Sequence, residues 1–509
     1  MQFRVKPRSG SSHAGKMRHL MTGIMIEQEQ HTVHCKAAIG QGSPLANRAK
    51  RAALNIPRTR AMRRRMEQPL QYEMGRNGLK NIIRNLMWIL GGKGFAAVVS
   101  LIYLALLSRS LGVKDFGHFS LIFGTAQALV ALAGFQTWQT MVRFGAGPAL
   151  ESNWPRLGRL AALCAVIDGA GALLGCGIAA VLFYGFGPML ELNPGYVHIG
   201  FGFTCALLWS RMTTSNGLVR VLDRVDIASY VEAVVPLGRL IAALVIVFVT
   251  GPSVASFLFA WAVIDLFAAA LYWFAAWRLA PQSINRSTFS RWRDAWRENN
   301  GIGAFFGITY ANSSLDALYR QGPLLMVGLL LGTSAAGIYK LADQLAQGIG
   351  TLSALVARAV FPEFALSSMA GEAHAFRKLV RQVSAAAALG GIVVTLTAFL
   401  FGEAVLGLIG GADFVRGAPV LVPLAMSASF ALAAVGFEPM VFSTGHANYA
   451  VLARSVSVIT IVGGIFLFAV YGPVGVGWAV ALGMAVFYLV MGGMAFIAMR
   501  EVMAKGVRL

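Results

Sequence analysis

Long apolar stretches constrain the fold of this chain more than any other feature. A helix needs about 20 mostly apolar residues to cross the hydrocarbon core of a membrane. From residue 82 onward twelve stretches of roughly this length follow one another, separated by short polar or Gly-Pro breaks. They cover residues 82–108, 117–137, 158–186, 195–216, 228–250, 252–279, 301–330, 334–360, 377–408, 417–438, 446–470 and 472–499. The sequence predicts an all-α polytopic membrane protein whose twelve transmembrane helices are called segments 1 to 12 below.

Composition excludes the other broad classes. Apolar residues make up 57% of the chain and charged residues 13%, whereas soluble domains carry about 25% charged residues. Four cysteines in 509 residues cannot form the framework of a secreted disulfide-rich protein. The apolar excess also excludes disorder for most of the chain.

The first 80 residues differ from the rest in charge. They contain 16 Lys and Arg against 4 Asp and Glu, a net charge of +12 out of the total of +21. We interpret residues 1–80 as a disordered cytoplasmic tail attracted to anionic membrane lipids, or as the product of a mis-assigned start, with Met66 and Met74 as alternatives. The run 58–65 is basic, but no domain surrounds it, and we predict no nucleic-acid partner.

Basic residues also orient the predicted helices. Loops rich in Lys and Arg stay on the cytoplasmic side, and these residues concentrate in the even-numbered connections and after segment 12. The relevant residues are Arg143, Arg156, Arg159, Arg220, Arg224, Arg286, Arg291, Arg293, Arg297, Arg377, Lys378, Arg381, Arg500, Lys505 and Arg508. The distribution predicts that both termini are cytoplasmic.

A linker and a weak internal repeat divide the helices into two groups of six. Residues 280–300 are predicted to form an amphipathic cytoplasmic linker, with Phe289, Trp292 and Trp296 on the membrane-facing side of one helix. Leu111-Gly112 recurs as Leu331-Gly332, and Gly251-Pro252 recurs as Gly472-Pro473. Since each group has an even number of helices, residues 81–279 and 301–509 are predicted to form two parallel six-helix bundles around a central cavity.

Charged residues within the predicted helices are the candidate functional groups, because an intramembrane charge needs a partner or a wet cavity. Arginine and lysine suit an anionic group such as a diphosphate, and carboxylates suit coupling to H⁺ or Na⁺. The candidate substrate-binding residues are Lys93, Arg211, Arg239, Arg320 and Arg454. The candidate ion-coupling residues are Asp168, Glu232, Asp265 and Asp316.

Some of these charges have a partner on their own helix. Asp316 and Arg320 are one turn apart, as are Lys340 and Asp343. Since this spacing pairs them within one helix, we interpret both pairs as structural ion pairs, with a role in the cavity as the alternative. Glu232 and Arg239 are predicted to share a helix face. Lys93, Arg239 and Asp265 lack a partner one turn away, which makes them the strongest cavity candidates.

Enzymatic and metal chemistry have no sequence support. No nucleophile–His–acid signature stands out, and no cluster of His, Cys and acidic residues has metal-ligand spacing. We therefore predict neither a catalytic site nor a metal or other cofactor.

Several loose motifs resemble those of one transporter family. They are Lys80-Asn81 with Asn85 and Trp88, the run 109–112, Asp115 to Gly117 with Phe119, the run 134–143, Leu331-Gly332 with Gly337, Tyr339 and Lys340, and Phe361-Pro362. From residue 80 the chain resembles the polysaccharide-transport branch of the multidrug/oligosaccharidyl-lipid/polysaccharide exporter (MOP) superfamily.

The resemblance implies a function. It implies flipping of undecaprenyl-diphosphate-linked oligosaccharide repeat units across the bacterial inner membrane, for lipopolysaccharide, capsule or exopolysaccharide synthesis. It also implies ion-coupled alternating access, and a polysaccharide polymerase and glycosyltransferases as partners. Alternatives are a multidrug or cation antiporter of the same superfamily, which would favour an acidic cavity, and a polysaccharide polymerase or ligase. The short outer loops count against the latter.

Overall fold

The apolar stretches form helices, because lipid offers the backbone no hydrogen-bond partner outside the chain. The computed structural model describes residues 77–186, 192–369, 373–434, 437, 441 and 447–504, with side chains for most of 96–348 and 388–497. Within these ranges the regular structure is entirely helical. The helices are α1 (77–111) and α2 (113–133), which together form Asn77–Ala133, then α3 Thr137–Leu150, α4 Trp154–Ala180, α5 Pro194–Ser210, α6 Thr214–Val221, α7 Val225–Val245, α8 Val254–Leu279, α9 Arg286–Phe289, α10 Asp294–Glu298, α11 (302–331) and α12 (333–369), which together form Ile302–Met369, α13 Ala373–Gly410, α14 Ala418–Ala433, α15 Ala447–Phe468 and α16 Gly472–Ala504.

Every predicted segment falls on one of these helices, which confirms the all-α fold class. In the described part of the chain, eight helical stretches are long and apolar enough to cross a membrane. Three of the eight each contain two predicted segments, and α5 accounts for segment 4. The predicted tail lies outside the described residues except for its last four, and so does the side chain of Lys93.

Glycines with positive φ separate paired helices at repeat-related positions. Gly112 has φ 72° and ψ 177°, and Gly332 has φ 84° and ψ 177°. Gly251 and Gly472 also have positive φ, at 87° and 70°. Residues with a Cβ rarely adopt this conformation. The two repeated sequence motifs therefore share one backbone geometry, which supports the predicted repeat.

The repeat-related helices α2 and α12 cross at a reciprocal contact. A Cβ at Gly117 would collide with the carbonyl oxygen of Thr333, and a Cβ at Gly337 would lie 2.5 Å from the carbonyl oxygen of Val113. Val113 and Thr333 are themselves 220 residues apart, as are the two glycines. Such an exchange of equivalent contacts is the signature of two-fold symmetry, and it places the pseudo-symmetry axis at this crossing.

Helices α2 and α11 also pack together along their lengths. Near one end Gly124 lies against the side chain of Leu324. Nearer the other end the Tyr310 hydroxyl donates a 2.9 Å hydrogen bond to the carbonyl oxygen of Leu132. The ring of Tyr310 stacks on Phe135 with centroids 5.0 Å apart. Small residues permit such close packing in membranes, where hydrophobic burial does not drive helix association.

Two predicted segments are interrupted near their C-terminal ends by a short non-helical break, and a further helix follows each break. Segment 2 was predicted to end at residue 137, but α2 stops at Ala133 and α3 continues to Leu150. Segment 4 was predicted to end at 216, but α5 stops at Ser210 and α6 continues to Val221. The apolar windows lose their signal at polar residues, and hydropathy alone cannot separate a break from an end.

The prediction of one continuous amphipathic helix in the linker is wrong. The linker contains two short helices, α9 and α10. The Thr288 hydroxyl bonds to the carbonyl oxygens of Ser283 and Asn285, and such local side-chain bonds compete with helix propagation. Of the three predicted aromatic residues, Trp292 packs against a buried cluster, whereas about half of the Phe289 and Trp296 surfaces are exposed.

The linker is attached firmly to α4. The Glu298 carboxylate lies 2.7 Å from the Arg159 guanidinium, and Arg156 donates a 3.0 Å hydrogen bond to the carbonyl oxygen of Glu298. Gly158 approaches the backbone of Ser283 so closely that a Cβ would collide with it. These contacts fix the start of α11 relative to α4.

Candidate functional site

The most deeply buried charge pair joins α7 to α8. Arg239 donates a 2.8 Å hydrogen bond to Asp265, and their side chains are 9% and 3% exposed. The guanidinium of Arg239 also lies 5.5 Å from the ring centroids of Phe123 and Trp261. Aromatic faces stabilise a cation electrostatically. Arg239 is therefore held by a carboxylate and two rings.

A second arginine reaches the same carboxylate. Arg211, the residue that ends α5, lies 3.7 Å from the other Asp265 oxygen, and 44% of its side chain is exposed. Two guanidiniums thus share one carboxylate, which leaves the three side chains with a formal charge of +1. Arg211 is the accessible member of this group.

These contacts add two pairings that helical spacing does not identify. Arg239 and Asp265, which have no partner one turn away, are partners of each other. Glu232 does not pair with Arg239 and instead lies 2.8 Å from Arg220 of α6, with half of its side chain exposed. Helical spacing identifies pairs within one helix, whereas these pairs depend on which helices are neighbours.

A similar group lies on α11 and α15. The predicted pair Asp316–Arg320 is present at 2.9 Å. Arg454 of α15 approaches Asp316 at 3.9 Å and donates a 3.4 Å hydrogen bond to Asn312. Both Arg320 and Asp316 are more than one-third exposed. Here too, two arginines surround one carboxylate, which in this group is accessible.

The predicted pair Lys340–Asp343 is also present, at 3.4 Å. Gln347 donates a 2.7 Å hydrogen bond to the same Asp343 oxygen. Both charged side chains are largely buried, and neighbours within one helix satisfy them. This arrangement fits a structural ion pair.

Asp168 has a different environment from the other candidate carboxylates. Its Oδ2 accepts hydrogen bonds from the hydroxyl of Thr137 at 2.7 Å, the hydroxyl of Thr214 at 2.8 Å and the backbone N–H of Thr214 at 3.0 Å. Among the salt bridges of the described residues, none includes Asp168. Its partners are the first residues of α3 and α6.

Sequence reasoning missed the threonines that surround Asp168. Thr137 and Thr214 are fully buried, and Thr213 lies between them, with its Oγ1 2.9 Å from that of Thr137. A run of hydroxyl residues, Thr213 to Ser215, inside an otherwise apolar segment was the available signal.

Within the described residues, no group of three His, Cys, Asp or Glu side chains is placed to hold a metal ion. Cys164, Cys176 and Cys205 are free thiols.

A family model described as polysaccharide biosynthesis protein matches residues 82–368, which is more than half of the chain. The chain belongs to this family. The match covers the glycine turns at Gly112 and Gly332, the Asp168 site and the Arg239–Asp265 pair.

The chain is also similar to a curated protein, and it shares its fold with solved structures. The inner membrane protein YghQ of Escherichia coli is 26% identical over 348 residues, which cover 66% of this chain and 94% of YghQ. An inward-facing multidrug resistance MATE family transporter of the MOP superfamily has a TM-score of 0.64 at 14% identity, covering 81% of this chain and 96% of that one. The lipid II flippase MurJ has a TM-score of 0.56 at 11% identity, covering 79% and 86%. The chain is a multi-pass membrane protein of the polysaccharide biosynthesis family with the MOP-type fold.

Proposed function

We propose that this protein flips undecaprenyl-diphosphate-linked oligosaccharides across the bacterial inner membrane, with both termini cytoplasmic. The observation that carries the proposal is the presence of two groups in which two arginines surround one carboxylate within membrane-spanning helices. An arginine can bind a phosphate through two parallel hydrogen bonds. A diphosphate is the anionic part of the proposed substrate, and family membership supports the glycan part.

Within this proposal the accessible arginines bind the diphosphate first. Arg211 and Arg320 are the more exposed members of their groups, with 44% and 54% of their side chains exposed. Arg239 and Arg454 are less exposed and bind the diphosphate after these two. Lys93 remains a candidate for the same cavity on the strength of its position in segment 1.

The shared carboxylates provide a route to ion coupling. A diphosphate that binds Arg320 and Arg454 competes with Asp316 for the same guanidiniums. Once released from them, the Asp316 carboxylate is available to bind H⁺ or Na⁺. Asp265 is placed in the same way in the other group. The competition would couple substrate binding to cation binding without any further residue.

The family's transporter fold and the tight turns at Gly112, Gly251 and Gly332 favour a transporter over a polymerase or ligase. In the described residues, these turns leave no space for an external catalytic loop at those connections. A cation antiporter is the remaining rival, since the MATE neighbour shares the fold.

Ligand-induced thermal stabilisation of the purified protein tests the proposal. A ligand at 100 times its Kd stabilises the folded state by about 2.7 kcal/mol. We expect undecaprenyl diphosphate to raise Tm and the cationic drug ethidium to leave it unchanged. The R211A/R320A variant should lose the response, whereas R224A, which removes a surface arginine paired only with Asp226 in the described salt bridges, should retain it. A response to ethidium alone would favour the antiporter.

A further inference from the structure

Two interrupted passages meet at Asp168, and both resumed helices begin without a cap of their own. Helix α3 follows Gln136 and helix α6 follows Thr213, and neither residue caps its own helix with its side chain. The first N–H groups of a helix have no partner within it. In a membrane interior, water does not supply one, and an unsatisfied group is costly.

Side chains from other parts of the chain accept hydrogen bonds from these N–H groups. Asp168 of α4 accepts the backbone N–H of Thr214, the first residue of α6. The Thr213 hydroxyl accepts the backbone N–H of Trp138 in the first turn of α3, at 3.3 Å. The Thr137 hydroxyl donates to Asp168. The two helix starts and α4 thus form one buried hydrogen-bonded unit.

Electrostatics favour a carboxylate at this position. The N-terminus of a helix carries a partial positive charge, and Asp168 contacts the starts of two helices. At 6% exposure it is buried, and three donors converge on one of its oxygens. The helix ends take the place of a basic side chain.

Arg211 lies close to this unit. It directly follows α5 and precedes Thr214, the first residue of α6, by three positions. Between the interruptions lies a small cavity lined by Asp168, Arg211 and Met212, together with residues of α2, α4 and α5. A shift of the α6 start would therefore move the accessible arginine.

We infer that Asp168 is a positioning residue that caps α6 directly, ties the start of α3 to it through the Thr137 hydroxyl and thereby holds Arg211 in place, rather than a group that binds the coupling ion. The inference rests on the proposed function only for the role of Arg211. Capping needs an oxygen acceptor, which asparagine retains, whereas ion coupling needs an ionisable carboxylate.

The test compares D168N with D168A. Each variant is made in a background with the four native cysteines replaced by alanine and Met212 replaced by cysteine. Three properties are measured for both variants. They are the thermal unfolding temperature, the labelling of residue 212 by a membrane-impermeant maleimide, and the movement of fluorescent undecaprenyl diphosphate between the leaflets of proteoliposomes. T204V is the matched control, because the hydrogen bond of the buried Thr204 hydroxyl within the described residues goes to the carbonyl oxygen of Gly200 in its own helix.

We expect D168N, which keeps the oxygen acceptor but loses the charge, to lower Tm by less than D168A and to keep labelling and transport close to those of the background protein. D168A should lower Tm by about 2–4 °C, increase labelling several-fold and raise the apparent KM more than it lowers the maximal rate. T137V should shift Tm and labelling in the same direction, and T204V should not.

Loss of transport in D168N with unchanged Tm and labelling would overturn the inference and assign Asp168 to ion coupling. Unchanged Tm and labelling in D168A would also overturn it, because the cap would then be dispensable. If the unsubstituted background protein fails to transport the probe, the proposed function fails, while Tm and labelling still decide the role of Asp168.

Discussion

The pair Arg239–Asp265 leads to a prediction with a defined order of effects. Removing one partner of a buried ion pair leaves an uncompensated charge and costs about 3–5 kcal/mol. The two removals are not equivalent here. In R239M, Asp265 keeps Arg211 at 3.7 Å, whereas in D265N both Arg239 and Arg211 lose their carboxylate.

We therefore expect D265N to be destabilised by the full amount, about 3–5 kcal/mol, and R239M by less. The double variant R239M/D265L should recover much of the loss, because replacing a buried ion pair by apolar groups is often neutral. Thermal unfolding in detergent measures each variant, and a double-mutant cycle from R239M, D265L and R239M/D265L gives the coupling energy.

The pair Arg220–Glu232 provides the control. Its side chains are 35% and 50% exposed, and an exposed pair contributes about 0–1 kcal/mol. E232Q should therefore melt close to the wild-type protein. Equal destabilisation by R239M and D265N, or no coupling in the cycle, would refute the proposed sharing of Asp265 between two arginines.

Three further predictions concern packing and binding. G117V and G337V should each prevent normal folding or lower Tm strongly, because a Cβ at either position meets backbone atoms. G307A should be tolerated, because the space around Gly307 is open. Size-exclusion profiles and thermal melts measure both effects. E298A should cost about 1–2 kcal/mol in a thermal melt, because Arg159 loses its partner at 2.7 Å. R211A should weaken undecaprenyl diphosphate binding about 10- to 100-fold in a titration, with equal affinity counting against a role for Arg211.

The sequence predicted features that depend on local pattern. Apolar length located all twelve helical segments, because a transmembrane helix must be apolar along its whole length. The repeated Leu-Gly and Gly-Pro pairs identified positions of positive φ, since glycine adopts that conformation most readily. Helical spacing also found the pair Asp316–Arg320.

Features that depend on helix neighbours were not predictable in this way. The contacts Arg239–Asp265 and Arg220–Glu232 join different helices, and nothing in the spacing of these residues identifies the partner. In the sequence, the interruptions in segments 2 and 4 cannot be told from helix ends, because polar residues produce the same drop in hydropathy at both. The contacts of Asp168 with Thr137 and Thr214 also depend on helix neighbours, so the sequence alone indicates only a carboxylate at membrane depth.

The predictions of two separate bundles and of cytoplasmic termini concern larger-scale organisation. The reciprocal crossing at Gly117 and Gly337 supports a two-fold relation between the halves. Labelling of single cysteines at residues 224 and 470 in intact cells would test the orientation. Residue 224 should be protected and residue 470 accessible to an impermeant reagent if the termini are cytoplasmic.

The most direct test of the central claim is transport of a fluorescent undecaprenyl-diphosphate-linked sugar in proteoliposomes. After a membrane-impermeant quencher is added, flipping brings the inner-leaflet lipid into its reach. We expect the wild-type protein to make this pool accessible, R224A to do the same, and R211A/R320A to leave it protected. If the wild-type protein leaves the pool as protected as in protein-free liposomes, under conditions in which it transports a cationic drug, the account is contradicted.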